Sequence, residues 1–501
     1  FGQRGSMPVM RYFPFAAVED ETSHVTWGVQ LAHEASWQLE IYRQDDGLHL
    51  SGGLADREFG DWMKTVKPGE RFETPTAILS VCEGGIDDIC HRLVSAGNKY
   101  VNAGPESEQD LPVIFNEYCT TWGNPSHENI CQILENIKGK GFDYFVIDCG
   151  WFKEDGVPWD ISMGDYNISK NLFPEGLEKT VEAIRQNGMK PGIWFEIDNV
   201  GRAAKAYELT DHLLKRDGYP LTTHNRRFWD MNDPWVKEYL HEKVIKMLQQ
   251  YGFEYMKMDY NDTIGLGCDG AETLGEGLRR NQEASVNFVR QVKEEVPGII
   301  LENCASGGHR LEPLMMGLCS MASFSDAHET EEIPIIAANL HRVILPRQSQ
   351  IWAVIRKSDS LKRIGYSIAN TFLGRMCLSG DVTDLSAEQW DVIDRGMAFY
   401  REIAPIIRDG KSYRRGPKIL SDRHPEGYQA MVRMKEDGEA MIVIHCFDGE
   451  LPGEIRVELP EGCAAHIRSV YSYDVPEMYV EDRTLVYKPT ENRNAAAVHL
   501  I

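Results

Sequence analysis

The residues Glu254-Tyr255-Met256-Lys257-Met258-Asp259-Tyr260-Asn261 begin as an apolar run of strand length and end in a charged, polar tip. Side chains alternate along a strand, so Tyr255, Lys257 and Asp259 share one face while Met256 and Met258 occupy the other. A lysine and an aspartate side by side at the carboxyl end of a buried strand are costly to desolvate. A buried ion pair would account for them, but the same ending recurs in Cys319-Ser320-Met321-Ala322-Ser323-Phe324-Ser325-Asp326. Two carboxylates at the ends of two buried strands are the equipment for nucleophilic and acid/base chemistry on a glycosidic bond.

The elements that must position them are legible as apolar runs alternating with amphipathic helices. The runs are 112–116, 144–148, 190–196, the stretch from 255, 299–304 and the one ending at Asp326, with weaker ones near 343–345 and 376–378. Helical spacing between them is clear over 235–251 and 278–296. About eight βα units in ~300 residues predict a (β/α)8, or TIM, barrel rather than an open sheet. Asn116, Asp148, Glu196, Asp259, Asn303 and Asp326 all follow apolar runs, and in a barrel those ends form the rim that binds substrate.

Residues 10–100 read as β structure, with period-two alternation over 25–31 and 37–42, and helical spacing over 86–99 leads out of it. Beyond residue 408, alternating runs at 429–434, 440–445, 453–459 and 484–487 are separated by glycine-containing turns. The expected division is therefore an N-terminal β-sandwich at 1–104, a catalytic barrel at 105–408 and a C-terminal antiparallel β domain at 409–501.

Composition narrows the function. A chain of 501 residues with 42% hydrophobic and 26% charged residues is an ordinary globular one. The net charge of -24 argues against a nucleic-acid or anionic-membrane surface and suits a neutral substrate. No apolar run of about 18 residues is present to span a membrane. The first seven residues lack the apolar core of a signal peptide, which points to the cytoplasm, and a cloning remnant among them and a naturally short or trimmed front are open alternatives. The 11 cysteines form no C-x-x-C pair and are expected as buried thiols, while the 15 histidines, His309 and His328 among them, form no metal cluster. No metal or cofactor is expected. A dinucleotide-like Gly265-Leu266-Gly267-Cys268-Asp269-Gly270 opens too far from its strand and reads as a mobile loop.

Taken in order, several motifs resemble the retaining α-galactosidases of glycoside hydrolase family 36. They are Asp148-x-Gly-Trp-Phe152, Gly164-Asp165, Trp194-Phe-Glu196, Lys257-x-Asp259-x-Asn261, Cys304-x-Ser-Gly-Gly308-x-Arg310 and Ser325-Asp326. The resemblance runs from about residue 11 to the C-terminus and implies a β-supersandwich, a (β/α)8 barrel and a C-terminal sheet, here with an abbreviated front. It implies that Asp259 is the nucleophile and Asp326 the general acid/base. Lys257 would bind a sugar hydroxyl, Asp148 the O4 and O6 hydroxyls, and Cys304 with Gly307 would lie near O2. Trp151, Asp165 and Trp194 would line the pocket beside Asn261, and an arginine before strand four, either Arg226 or Arg227, would contact the sugar.

The departures bear on substrate. Cys149 stands where those galactosidases have a second aspartate, and a thiol is a weak hydrogen-bond partner. Met258, Asp262 and Ile197-Asp198 replace the family's tryptophan, arginine and Pro-Glu. The catalytic pair is intact while the walls of the sugar site differ. The expected activity is cleavage of a terminal α-linked galactose-type sugar from an oligosaccharide or glycoconjugate. An α-N-acetylgalactosaminidase, an α-galactosaminidase, a transglycosylase and a non-catalytic carbohydrate-binding relative are the alternatives, and self-association into a homo-oligomer stays open.

Overall fold

In the computed structural model, which describes residues 1–324, 326 and 331–501, the apolar runs pair as parallel strands that close on themselves. The strands are β1 (Ile114–Asn116), β2 (Tyr144–Ile147), β3 (Lys190–Phe195) and β4 (Tyr255–Met258). They continue as β5 (Ile300–Asn303), β6 (Met321–Ser323), β7 (Ser349–Ile355) and β8 (Arg375–Gly380). They lie side by side in chain order and β8 pairs with β1, which is the barrel topology expected. Every residue of β2, β4, β5, β7 and β8 is buried, because helices cover the outside and side chains fill the inside.

Helix boundaries follow local chemistry. The helix Leu274–Glu295 starts where the Thr273 hydroxyl accepts from the Glu276 amide, and Ala387–Asp409 starts in a Ser386/Gln389 capping box. The helix expected over 235–251 is Pro234–Leu240 running through a π turn, His241–Ile245, into Lys246–Tyr251. One strand lies elsewhere than expected. Residues 343–345 form a turn after the helix Ile333–Leu340, and β7 is the buried Ser-Gln-Ile-Trp-Ala-Val-Ile run six residues on. A three-residue apolar cluster before Pro346 is too short to form a strand, and the longer run outcompetes it.

The N-terminal region holds two three-stranded antiparallel sheets. Phe15–Asp20, Val25–Ala32 and Thr76–Glu83 form one; Gly2–Gln3, Trp37–Gln44 and Gly47–Leu54 form the other. At the C-terminus a five-stranded and a three-stranded antiparallel sheet bury Val432, Ile442, Ile444, Ile455, Leu485 and Val498. The chain divides into two compact units: Phe1–Pro105, Thr121–Cys131 and Phe145–Ala322; and Glu106–Thr120, Gln132–Tyr144 and Ser323–Ile501. The breaks between them fall at 105/106, 120/121, 131/132, 144/145 and 322/323. No helix among the described residues is long and apolar enough to cross a membrane.

Candidate active site

Strand register sets the site. Lys257 lies opposite Trp194 of β3 and Glu302 of β5. Pairing with β3 continues one residue past β4, because the Asp259 amide donates to the Phe195 carbonyl at 2.8 Å. Lys257 and Asp259 therefore share the face the alternation assigns them. The Lys257 ammonium, 2% exposed, donates to Asp148 Oδ2 at 2.8 Å, and the Cys149 amide donates to Asp148 Oδ1 at 2.8 Å. Burial alone would discharge the lysine, but Asp148, Cys304, Glu302 and Asp259 outweigh it and hold the ammonium well above its usual range.

Asp259 is buried yet held ionised. Burial pushes its carboxyl up, and Lys257, the Ser306 and Tyr260 amides and the Asn261 side chain bring it below the usual carboxylate range. Oδ1 accepts from the Tyr260 amide at 2.8 Å and from the Ser306 amide at 2.8 Å, and Oδ2 accepts from the Trp194 indole at 3.2 Å. The Ser306 donor is delivered by an unusual backbone. Ala305 (φ 46°), Ser306 (φ 56°) and Gly307 (φ 78°) are all left-handed, a cost of roughly 1–2 kcal/mol for each non-glycine residue. That local cost turns the amide onto the carboxylate.

Behind Asp259 sits Glu196, the residue after β3 and fully buried. It accepts from the Asn261 amide at 2.8 Å, from Asn261 Nδ2 at 3.1 Å and from the Asn199 amide group. Arg226 Nε stands 3.5 Å from its Oε1. Burial raises the Glu196 carboxyl, Arg226 opposes that, and the neighbouring Asp259 adds to it. The structure thereby separates the two arginines. Arg226 faces Glu196, whereas Arg227, next along the strand Arg226–Phe228, points away to the Tyr207 carbonyl (2.6 Å) and ring.

The other expected residues fall into two groups. Trp151 and Trp194 are buried beside the carboxylates, the Trp151 indole donating to the Trp194 carbonyl at 2.9 Å. Buried Cys304 follows β5, its amide donating to the Met258 carbonyl at 2.8 Å, and opens the turn containing Gly307. Asp165 is committed elsewhere. Its carboxylate accepts from the Lys205 amide at 2.8 Å and the Ala206 amide at 2.9 Å, and it borders a cleft of about 480 Å³ with Phe152, Asn167 and Ala204. Asp326 is exposed in a turn three residues past β6; Ser325 and His328 lie outside the described residues. The sequence assigns Glu196 to the rim without a role in the sugar site, and it assigns no role to Ser306. Glu196 was visible as a strand-end carboxylate, but the Ser306 donor is a backbone amide that no side-chain motif announces.

The loop Gly265 to Gly270 is pinned, with Arg216 donating to the Ile264 carbonyl at 2.6 Å and to the Gly267 carbonyl. Gly267 is required there, since a Cβ would lie 2.0 Å from the Leu274 carbonyl. Among the described residues, Glu238, His241 and Glu242 alone gather three metal-type ligand atoms, and His241 Nε2 there already pairs with Glu295 at 2.8 Å. All eleven cysteines are thiols.

A parallel eight-stranded barrel with buried, paired carboxylates at the carboxyl ends of its strands defines the class: a TIM barrel with its polar site at the C-terminal rim. Residues 71–410 match the family model for melibiase, and the chain belongs to that family, within glycoside hydrolase family 36. It is 23% identical over 419 residues to the α-galactosidase Mel36A of Lactobacillus acidophilus, covering 80% of this chain and 56% of that protein. With α-galactosidase 1 of Pediococcus pentosaceus it is 24% identical over 435 residues, covering 82% and 57%. The chain thus spans little more than half the length of these relatives. A variant of the α-galactosidase AgaA of Geobacillus stearothermophilus, solved with raffinose, has the same fold at TM-score 0.85 and 19% identity, covering 100% of this chain and 71% of that one.

Proposed function

We propose that the chain is a retaining α-glycosidase that removes a terminal α-linked galactose-type sugar from an oligosaccharide or glycoconjugate. The observation that carries this reading is the state of Asp259: a buried carboxylate kept ionised by Lys257 and aimed by three donors at a barrel rim. That is the condition of a nucleophile. Asp259 attacks the anomeric carbon while Asp326 gives its proton to the leaving oxygen. Water then cleaves the glycosyl ester with Asp326 taking the proton back. Lys257, Asp148 and Cys149 form one wall of the sugar site, Trp151 and Trp194 another, and Cys304, Gly307, Asn261 and Arg226 complete it. Asp165 and Arg227 support the surrounding loops. The galactose configuration is drawn from the α-galactosidases that the chain resembles, and the division at 1–104, 105–408 and 409–501 belongs to the same reading.

The test is hydrolysis of 4-nitrophenyl α-galactoside followed by NMR of the first sugar released. The α-anomer is expected first. Asp259→Ala should abolish turnover, with azide restoring it as the β-galactosyl azide, while Asp326→Ala should retain more activity on good leaving groups. A β-anomer as first product, or Asp259→Ala activity within about tenfold of the native chain, overturns the assignment.

A further inference from the structure

Glu196 is the buried charge for which the proposed chemistry has no use. It does not lie beside a reacting atom, and as a fully buried carboxylate it is costly unless its surroundings return the lost hydration. Asn199 supplies one donor from beside β3, and the rest of those surroundings belong to the nucleophile's turn or to Arg226. Oε1 accepts from the Asn261 amide and Oε2 from the Asn261 side chain, so one carboxylate grips both the backbone and the side chain of a residue two positions past Asp259. The Asp259 amide is itself fixed on the Phe195 carbonyl, one residue before Glu196. The turn 259–261 is thus tied at both ends to the end of β3. Arg226 Nε, buried and without a hydrogen-bond partner among the described residues, stands 3.5 Å from Glu196 Oε1 and supplies a balancing cation.

We propose that Glu196 is a positioning residue for Asp259. Clamped on Asn261 and balanced by Arg226, it fixes the turn that carries the nucleophile and sets the electrostatic field behind it. The proposal rests on Asp259 being the nucleophile. A negative charge behind a nucleophile keeps it basic, and the balancing cation keeps it ionised, so the two together hold Asp259 reactive at working pH. Among the described residues, the other charged or titratable groups around the pair include Lys257 on β4 with Asp148 and Glu302 about it, Cys304 after β5, Tyr166 against the Glu196 backbone, and Asp198 paired with Arg310. None of them takes the place of Glu196 on Asn261.

The experiment measures kcat and KM against pH for the full chain on an aryl α-galactoside, with Glu196→Gln and Arg226→Gln. Glu196→Gln keeps one acceptor for Asn261 but removes the charge. It is expected to lower kcat by about tenfold or more with KM changed less than about threefold. The acidic limb of kcat/KM, which reports ionisation of the nucleophile, should move to lower pH because a repelling charge has gone. Arg226→Gln should move the same limb to higher pH because an attracting charge has gone. Opposite displacements are the signature, since a merely structural defect lowers activity without moving the limb. Limbs that coincide with the native profile in both variants overturn the proposal while leaving the glycosidase reading intact. If Glu196→Gln does not fold, Arg226→Gln decides alone: an upward shift supports the proposal and no shift overturns it. A native chain that shows no Asp259-dependent turnover removes the nucleophile itself, and the proposal with it.

Discussion

Replacing Lys257 by methionine tests whether the lysine at the heart of the site holds the barrel as well as the chemistry. Lys257 and Asp148 are each 2% exposed and their charged atoms are 2.8 Å apart. Removing one member of such a pair strands the other in a low-dielectric interior and costs about 3–5 kcal/mol. At about 2–4 °C per kcal/mol for a cooperative unit of 150–250 residues, the melting temperature should fall by roughly 6–20 °C. Adding Asp148→Asn removes the stranded charge. The double variant should recover most of the loss, because deleting both members of a buried pair is far cheaper than deleting one. Differential scanning calorimetry of the native chain and the three variants at neutral pH completes the cycle.

The pH dependence has a definite sign. The folded-state pKa of Lys257 lies above its ordinary value of 10.5, so its contribution is fully present below that value and is lost only as pH rises through the higher one. The cost of Lys257→Met should therefore not be relieved between about pH 6 and 9. Asp259 behaves oppositely. Its lowered pKa contributes stability above 3.8 that is lost as pH falls through the folded value, and without Lys257 that contribution shrinks. The variant should accordingly unfold at a higher pH on acidification. A single variant within about 1 kcal/mol of native, or a double variant no more stable than the single, would refute the reasoning.

Ser306→Pro removes the amide that donates to Asp259 and cannot adopt φ 56°, so kcat should fall by about a hundredfold. Ser306→Gly keeps the donor, relieves the left-handed cost and should retain activity within a few-fold, measured on the same aryl glycoside. Cys149→Asp restores the paired aspartates implied by the family resemblance. It should raise kcat/KM on a simple aryl α-galactoside by about tenfold or more, one charged hydrogen bond's worth. A native chain that is already efficient on that substrate and is impaired by Cys149→Asp contradicts the idea that the thiol weakens the grip on the sugar.

The barrel was legible because each of its strands is a local signal. Apolar runs of strand length between amphipathic helices announced β2 to β5 within a residue or two. The failures have local causes as well. The final strand Asn494–Leu500 is buried throughout but reads Asn-Ala-Ala-Ala-Val-His-Leu, and alanine carries little strand preference. It is recruited by pairing with Ala440–Cys446 on one side and Ile467–Tyr471 on the other, which only the assembled sheet provides.

For the site, sequence alone determined which side chains stand at strand ends and, by alternation, that Lys257 and Asp259 share a face. It could not tell Arg226 from Arg227, because adjacent residues of a strand point opposite ways and the sequence does not say which way is inward. Tertiary structure decided that by placing Glu196 within reach of one and Tyr207 under the other. It also decided that Asp165 serves the backbone of 205–206, and that the amide of Ser306 completes the cradle of Asp259. These are contacts between segments some 20 to 47 residues apart, or donors carried by the backbone itself. A sequence states what each side chain is. Only the closed barrel states which of them meet, and which backbone groups it turns towards them.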